Sequence, residues 1–217
     1  MAANELYWDA LKTEGKEGNC AVYHPAADLT FSSVCQERFK NYQRYLDPEA
    51  GETMTYWEWH GDPQVRRSFV SRADDCIVIE QLGSGVKALQ WELKIELHEL
   101  LDAIRENGEL FVPPIEFTST ADGEWLVGSG RYTDSNYDGA EYGVVARVVS
   151  GDSSCLSISA DGQSIVLNGA EAVQVIVKVF VYESAEHAIE RIKQSILSLG
   201  FDYSALLQRH VELHRPR

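Results

Sequence analysis

The sequence lacks most of the short motifs by which an enzyme can be recognised from sequence alone. It contains no G-x-S-x-G nucleophile elbow, no P-loop and no G-x-G-x-x-G after a strand pattern, and Gly83-Ser-Gly85 reads only as a turn. Its 4 cysteines form no C-x-x-C pair, so neither a zinc knuckle nor a redox dithiol is indicated. These absences argue against nucleophilic, nucleotide-dependent and thiol chemistry.

Positive charge and long apolar runs are also scarce. The chain has 19 basic and 34 acidic residues and a net charge of -15, which repels nucleic-acid phosphates and anionic membrane surfaces. No segment approaches eighteen uninterrupted apolar residues, and the opening MAANELYWDA has no apolar signal-peptide core. We therefore expect neither nucleic acid nor membrane as a partner, and a reducing, cytoplasmic location is favoured.

The sequence does contain the alternation of strand-forming and turn-forming segments that is typical of antiparallel sheets. From about residue 27 to 180, short β-branched and aromatic runs alternate with Gly, Asp, Asn and Pro. Asp122-Gly123 and Asp161-Gly162 each separate two such runs and predict tight hairpins. Asn168-Gly169 predicts a bend before the nearly continuous apolar run 173–181, which is typical of a central strand covered on both faces.

Alternation within two of these runs assigns their side chains to opposite faces. In 91–98, Trp91, Leu93, Ile95 and Leu97 share one face, which we expect to be the core. In 53–60, Trp57 and Trp59 share a face opposite Tyr56, Glu58 and His60, and either of these two faces could be buried. The segment 99–106 is ambiguous, since its composition favours a helix and its neighbours favour strands.

After Tyr182 the apolar period changes to that of helices. Ala185, Ala188, Ile189, Ile192, Ile196 and Leu199 have helical spacing, with Ser184 as the predicted N-cap and Gly200 as the predicted end. Asp202 is the predicted cap of a second helix, whose semi-apolar side carries Leu206, Leu207, His210, Val211 and His214. The predicted fold is thus mainly β, with a domain over 1–182 and a helical linker over 183–217.

Two possible metal sites are incomplete. Asp134, Asn136, Asp138 and Gly139 match the first half of a calcium loop, but its twelfth position is Val145 instead of a bidentate Glu. His210 and His214 lie one helical turn apart without an H-E-x-x-H pattern or an evident third ligand. We therefore predict no metal, no cofactor and no catalytic residue in this chain.

Large aromatic residues provide the one predicted binding site. Trp57 and Trp59, with the adjacent His60, could offer flat apolar platforms to sugar rings. Core packing is the competing interpretation of these tryptophans.

The order of several segments resembles the amino-terminal domain of glycoside hydrolase family 95, the α-L-fucosidase and α-galactosidase group. The similar segments are 23–31 (YHPAADLTF), 42–51 (YQRYLDPEAG), 67–72 (RSFVSR), 74–79 (DDCIVI) and 203–210 (YSALLQRH). They follow the family's order of "YQP-GDL-L-F", "Y-R-LDL-TG", "REFFAS-P-D-VIV" and a helix of the "Y--L---H---Y--LF-RV" type.

This resemblance implies an antiparallel super-sandwich similar to mutarotase-like domains, joined by helices to a separate (α/α)6 barrel that holds the catalytic carboxylate. The leading hypothesis is accordingly a non-catalytic carbohydrate-associated domain of a glycoside hydrolase, with the barrel of the same protein as its partner and a fucoside or galactoside as the substrate.

Two other hypotheses remain. One is a free-standing carbohydrate-binding or protein-interaction module that uses the Trp57/Trp59 face. The other is a small mutarotase-like enzyme that uses His60 or His98 with a carboxylate.

Overall fold

A computed structural model describes residues 25–33, 39–59, 61–84, 89–98, 115–133 and 139–214. Almost all of them belong to one compact unit formed by residues 26–99 and 113–217. Within these ranges the strands are β1 Asp28–Ser33, β2 Lys40–Asp47, β3 Glu52–Trp59, β4 Asp62–Ser71, β5 Cys76–Gly83, β6 Leu89–Glu96, β7 Ile115–Asp122, β8 Trp125–Tyr132, β9 Glu141–Ser150, β10 Leu156–Ile158, β11 Ser164–Ala170 and β12 Ala172–Val181. In the same ranges, two helices follow, α1 Ala185–Leu199 and α2 Tyr203–His214, and a 3-10 turn covers Ser153–Cys155.

The strands form two antiparallel sheets. The larger has eight strands in the order β2-β3-β4-β5-β12-β9-β8-β7, and the smaller has four in the order β1-β6-β11-β10. Both predicted hairpins are confirmed: β7 pairs with β8 and β10 with β11, and Gly123 and Gly162 have the positive φ that these turns require. The predicted fold class, an antiparallel sandwich followed by two helices, is confirmed.

Strand β12 shows how the two layers on the larger sheet are built. It lies between β5 and β9, as expected of a central strand. Val173, Val175 and Val177 contribute to a core shared with the four-stranded sheet, whereas Ile176 and Phe180 contribute to a second core beneath the helices. We call the first side of the larger sheet the inner face and the second the outer face. The continuous apolarity of β12 is explained because both of its faces are covered.

Strand β6 confirms the predicted alternation in the smaller sheet. Leu93 and Ile95 are fully buried in the inner core, while Glu92 and Glu96 are exposed. The bend at Gly169 also occurs where predicted, with a register shift between Asn168 and Ala170. It lies near the end of β11 of the smaller sheet, and the chain then enters β12 of the larger sheet.

The two helices form where they were predicted, with one difference in capping. Asp202 accepts a hydrogen bond from the Ala205 amide at 3.1 Å, and Gly200 ends α1 with a φ of 77°. Ser184 occupies the N-cap position of α1, but its side chain makes no capping hydrogen bond. The Ala185 amide donates instead to Glu141 Oε2 of β9 at 2.6 Å, so α1 is capped by the sheet on which it packs.

The ambiguous segment 99–106 lies outside the described residues, and so do Cys20 and Cys35. Cys76 and Cys155 are free thiols. Cys76 is buried in the outer core, and this burial raises the pKa of its thiol to about 11. It therefore behaves as a small core residue, as predicted.

Candidate functional site

Strand β3 carries the predicted aromatic site. Trp57 and Trp59 are only 9% and 7% exposed, and Trp57 meets Trp91 of the smaller sheet edge-to-face, with ring centroids 6.2 Å apart. The tryptophan side of β3 therefore belongs to the inner face, and the Tyr56/Glu58 side belongs to the outer face. His60 lies outside the described residues, and sugar binding by Trp57, Trp59 and His60 stays a prediction.

Trp57 is part of a cluster around an arginine of the neighbouring strand. The Arg66 guanidinium carbon lies 4.2 Å from the ring centroid of Phe31, 5.5 Å from that of Trp91 and 5.8 Å from that of Trp57. Arg66 Nε donates to Gln81 Oε1 at 2.8 Å. Burial lowers the pKa of Arg66, and the negative faces of the surrounding rings offset part of the cost of removing this cation from water. We call these residues, with the adjacent Gln64, the arginine cluster.

Two glutamines of the arginine cluster have unpaired polar atoms. Gln64 and Gln81 are each 1% exposed, and within the described part of the chain no partner reaches Gln64 Oε1, Gln64 Nε2 or Gln81 Nε2. The register places Gln81 opposite Arg66, and Gln64 opposite Gly83. A Cβ on Gly83 would lie 2.7 Å from Leu89 Cδ2 and 2.9 Å from Gln64 Oε1, so the Gln64 amide is held tightly over the β5 backbone. Buried unpaired amides destabilise a fold.

The outer face of β2 and β3 forms an open groove of about 440 Å³. Its lining residues, three from each strand, are Asn41, Gln43, Tyr45, Met54, Tyr56 and Glu58. We call this region the outer groove. It lies on the same side of the sheet as the helices, because Glu52 of β3 accepts a hydrogen bond from Tyr203 of α2 at 2.8 Å.

Glu58 is the polar centre of the outer groove. Its Oε2 accepts a hydrogen bond from Asn41 Nδ2 at 2.7 Å, and its Oε1 accepts one from the Tyr56 hydroxyl at 3.0 Å. The hydrogen bond to Glu58 raises the pKa of Tyr56. Asn41 has a φ of 52° and lies where the β2–β3 register shifts between Lys40 and Gln43. This irregularity places the Asn41 amide against the carboxylate.

The histidines of α2 attach the helix to the sheet. His210 is buried, and its Nδ1 accepts a hydrogen bond from the Arg72 amide at 3.2 Å. His214 stacks on His210, with ring centroids 4.9 Å apart, and its Nε2 lies 3.2 Å from the Pro48 carbonyl oxygen. Among the residues that the structure describes, no group of three potential ligands could hold a metal ion.

The carboxylates with perturbed pKa values do not have the properties of a general acid. Hydrogen bonds from Ser154, Ser159 and Arg191 lower the pKa values of Asp152, Asp161 and Glu183, respectively, whereas a general acid at neutral pH requires a raised pKa.

Asp74 contacts a helix, and most of the incomplete calcium loop lies outside the described residues. Asp74 accepts hydrogen bonds from Ser71 Oγ at 2.9 Å and from Arg209 Nη2 of α2 at 3.1 Å, which makes it a structural contact for the helix. Of the incomplete calcium loop, Asp134, Asn136 and Asp138 lie outside the described residues. Over the described ranges, no helix combines the length and apolarity needed to span a membrane.

The arginine cluster and the outer groove were not found by sequence reasoning. Gln64 and Arg66 lie two residues apart in β4. The only local indication of the arginine cluster is therefore that strand alternation places these two side chains on the same face. It does not show that the Arg66 guanidinium meets Phe31 and Trp91 of the other sheet. The outer groove depends on the pairing of β2 with β3, which no local pattern specifies.

The sequence model described as "Glycosyl hydrolase family 65, N-terminal domain" matches residues 2–180. One similar solved structure is described as "Putative kojibiose phosphorylase from human microbiome", with a TM-score of 0.48 and 11% identity. The match covers 82% of this chain and 23% of that protein, so the chain spans about a quarter of its length. No curated protein matches the sequence.

Proposed function

Because the chain belongs to the family of glycosyl hydrolase family 65 N-terminal domains, we propose that it is a non-catalytic domain that supports the catalytic part of a larger glycoside-cleaving enzyme. The observation that carries this proposal is the family match, which extends over nearly the whole sandwich. The matched family is glycosyl hydrolase family 65, so the assignment to family 95 suggested by the sequence resemblance is wrong. The fucoside or galactoside substrate that the resemblance to family 95 implied stays a prediction.

The described carboxylates support a non-catalytic role. Glycoside hydrolysis requires two carboxyl groups on opposite sides of the scissile bond, one of them acting as an acid. Glu58 and Asp74 instead accept hydrogen bonds from neighbouring side chains, and the pKa values of Asp152, Asp161 and Glu183 are lowered. These contacts are consistent with placing the chemistry in the separate (α/α)6 barrel that the family resemblance implies.

The two helices provide a surface for that barrel. They are fixed to the outer face of the larger sheet by apolar packing and by the Asp74–Arg209 and Glu52–Tyr203 hydrogen bonds. Leu197 of α1 and Leu213 of α2 are nevertheless exposed. A rigidly attached helix pair with exposed leucines is suited to contact a second domain.

The proposal is tested in two ways with the 217-residue chain. The folded chain should not hydrolyse or phosphorolyse a panel of α-glucosides, fucosides and galactosides above the buffer rate. It should bind a separately produced family 65 barrel saturably, and L197D/L213D should weaken that binding by about tenfold or more. The control is V70D, since Val70 is an exposed residue of β4 whose side chain alternates with that of Phe69 and so points to the face opposite the helices.

Turnover by the isolated chain that disappears in E58Q would refute a non-catalytic role. Barrel binding that is equally strong in L197D/L213D and in V70D would refute the helical contact surface. Circular dichroism establishes that each variant is folded before either result is interpreted.

A further inference from the structure

The composition of the outer groove is that of a site for an uncharged, hydroxyl-rich ligand. Tyr45, which is 55% exposed, and the partly buried Met54 and Tyr56 supply apolar and aromatic surface. Asn41 and Gln43 supply amides that both donate and accept hydrogen bonds, and Glu58 supplies an acceptor. A pyranose ring needs this combination, because its faces consist of C–H groups and its rim consists of hydroxyls.

The geometry of the two strands arranges these groups as a strip. Gln43 lies opposite Tyr56, and Tyr45 lies opposite Met54. Side chains on one face of a strand recur about every 6.8 Å, and neighbouring strands lie about 4.8 Å apart. The result is two parallel rows of three side chains along an open groove of about 440 Å³, which is within the range of about 300–1,000 Å³ for small-molecule sites.

The backbone at Asn41 is a second, independent observation. A φ of 52° is uncommon within a strand, even for asparagine, which adopts positive φ more readily than most residues, and irregularities of this kind concentrate at functional sites. Here the irregularity directs the Asn41 amide to Glu58 Oε2. Among the described residues, each oxygen of Glu58 accepts one side-chain hydrogen bond, which leaves lone pairs available for a ligand hydroxyl.

The charge of the lining residues favours neutral over anionic ligands. The lining residues include the carboxylate of Glu58 and no cationic side chain, and the chain carries a net charge of -15. Phosphorylated and uronic-acid ligands are therefore disfavoured.

We propose that the outer groove is a binding site for a neutral oligosaccharide. Tyr45 and Tyr56 contact the faces of the sugar rings, and Asn41, Gln43 and Glu58 hydrogen-bond to the hydroxyls. This inference does not depend on the proposed function, since the groove lies on β2 and β3 and the proposed barrel contact lies on the helices.

The test is calorimetric titration of the chain with four neutral probes, namely maltotetraose, cellotetraose, xylotetraose and galactotetraose, and with one acidic probe, digalacturonic acid. At least one neutral probe should bind saturably, and Y45A and N41G should each weaken it by about tenfold. Glycine is chosen at position 41 because it adopts the positive φ of Asn41 without strain while removing the amide.

The matched control is Y182N. Tyr182 is 83% exposed and has a φ of 56°, so this variant removes an exposed tyrosine elsewhere and retains a residue that tolerates the left-handed backbone. It should leave the affinity unchanged.

Three results would overturn the proposal: no binding of any neutral probe by the folded chain, binding that survives both Y45A and N41G, or tighter binding of digalacturonic acid. A seven-residue alternating Val/Thr peptide is titrated as well, since an edge strand such as β2 can add a peptide strand. Binding of this peptide without any neutral probe would assign the surface to peptides instead. Failure of the barrel-binding test would leave these results unchanged, so the two proposals fail separately.

Discussion

Replacing Gln64 of the arginine cluster by methionine should stabilise the protein. Gln64 is 1% exposed, and neither its amide oxygen nor its amide nitrogen has a partner within the described residues. Each buried unpaired polar atom costs about 1–3 kcal/mol. Methionine has nearly the same length and flexibility without these polar atoms. After allowance for imperfect repacking beside Gly83 and Leu89, we expect a gain of about 2 kcal/mol in the free energy of unfolding.

Urea unfolding followed by tryptophan fluorescence measures this gain. With a denaturant slope of about 2 kcal/mol per molar urea, the unfolding midpoint of Q64M should rise by about 1 M. Gln81 provides the contrast, because its Oε1 accepts the hydrogen bond from Arg66 Nε at 2.8 Å. Q81M should be destabilised, since it leaves a buried cationic donor without its acceptor. Q208M, at an exposed position of α2, should change the stability by less than about 0.5 kcal/mol.

A loss of more than about 1 kcal/mol in Q64M would refute this reasoning. It would mean that the Gln64 amide has a partner, such as an ordered water or a bound group, and that the arginine cluster is satisfied in solution. Equal effects of Q64M and Q81M would contradict the assigned role of Gln81 as the acceptor for Arg66.

Two further predictions concern pH and packing. Burial, together with the neighbouring His214, lowers the pKa of His210 below its unfolded value. The contribution of His210 to stability is therefore fully present above about pH 6.5, the unfolded pKa, and is lost as the pH falls towards the folded pKa. The free energy of unfolding should fall by at most about 1.4 kcal/mol per pH unit in this range. Urea unfolding between pH 7.5 and 5 should therefore show a shallower pH dependence of stability in H210Q than in the unsubstituted protein. H187Q, at an exposed position of α1, should show no such change. An unchanged pH dependence in H210Q would contradict this role of His210. G143A should destabilise the protein by about 2 kcal/mol or more, because its Cβ would lie 2.4 Å from the Gly128 carbonyl oxygen. G151A is the control and should be neutral in the same measurement, because a Cβ at that position meets nothing within 4 Å. Equal effects of the two substitutions would refute the predicted clash.

Local sequence patterns predicted the structure correctly where a pattern is compatible with only one local conformation. The Asp-Gly turns at Gly123 and Gly162 require positive φ and were placed correctly. The helical spacing after Tyr182 predicted α1 and α2 within a residue or two of their observed bounds. The cap of α1 could not be predicted from the local sequence. Ser184 has the expected position, but the capping oxygen comes from Glu141. Only the packing of α1 against β9 brings this side chain close to the helix.

The candidate sites were less predictable than the elements that carry them. The tryptophans of β3 were considered as an exposed platform or as core, and the structure buries both. The outer groove, which lies on the opposite face of the same strand, needs the exposed strand β2 beside it and the irregular backbone at Asn41. Arg66 is one of two consecutive arginines in β4, and nothing in their local sequence distinguishes the one that reaches Phe31 and Trp91.

The sequence by itself determined the alternating strands, the two-sided apolar strand β12, the hairpin turns and the helices, because each follows from a period or turn preference within a few residues. Tertiary structure alone decided which face of β3 meets the other sheet, which arginine is enclosed by aromatic rings, and where the outer groove opens. Period-two alternation separates the side chains of a strand into two sets. Contacts between residues distant in the chain then select the set that is buried, as Trp57 and Trp91 do here.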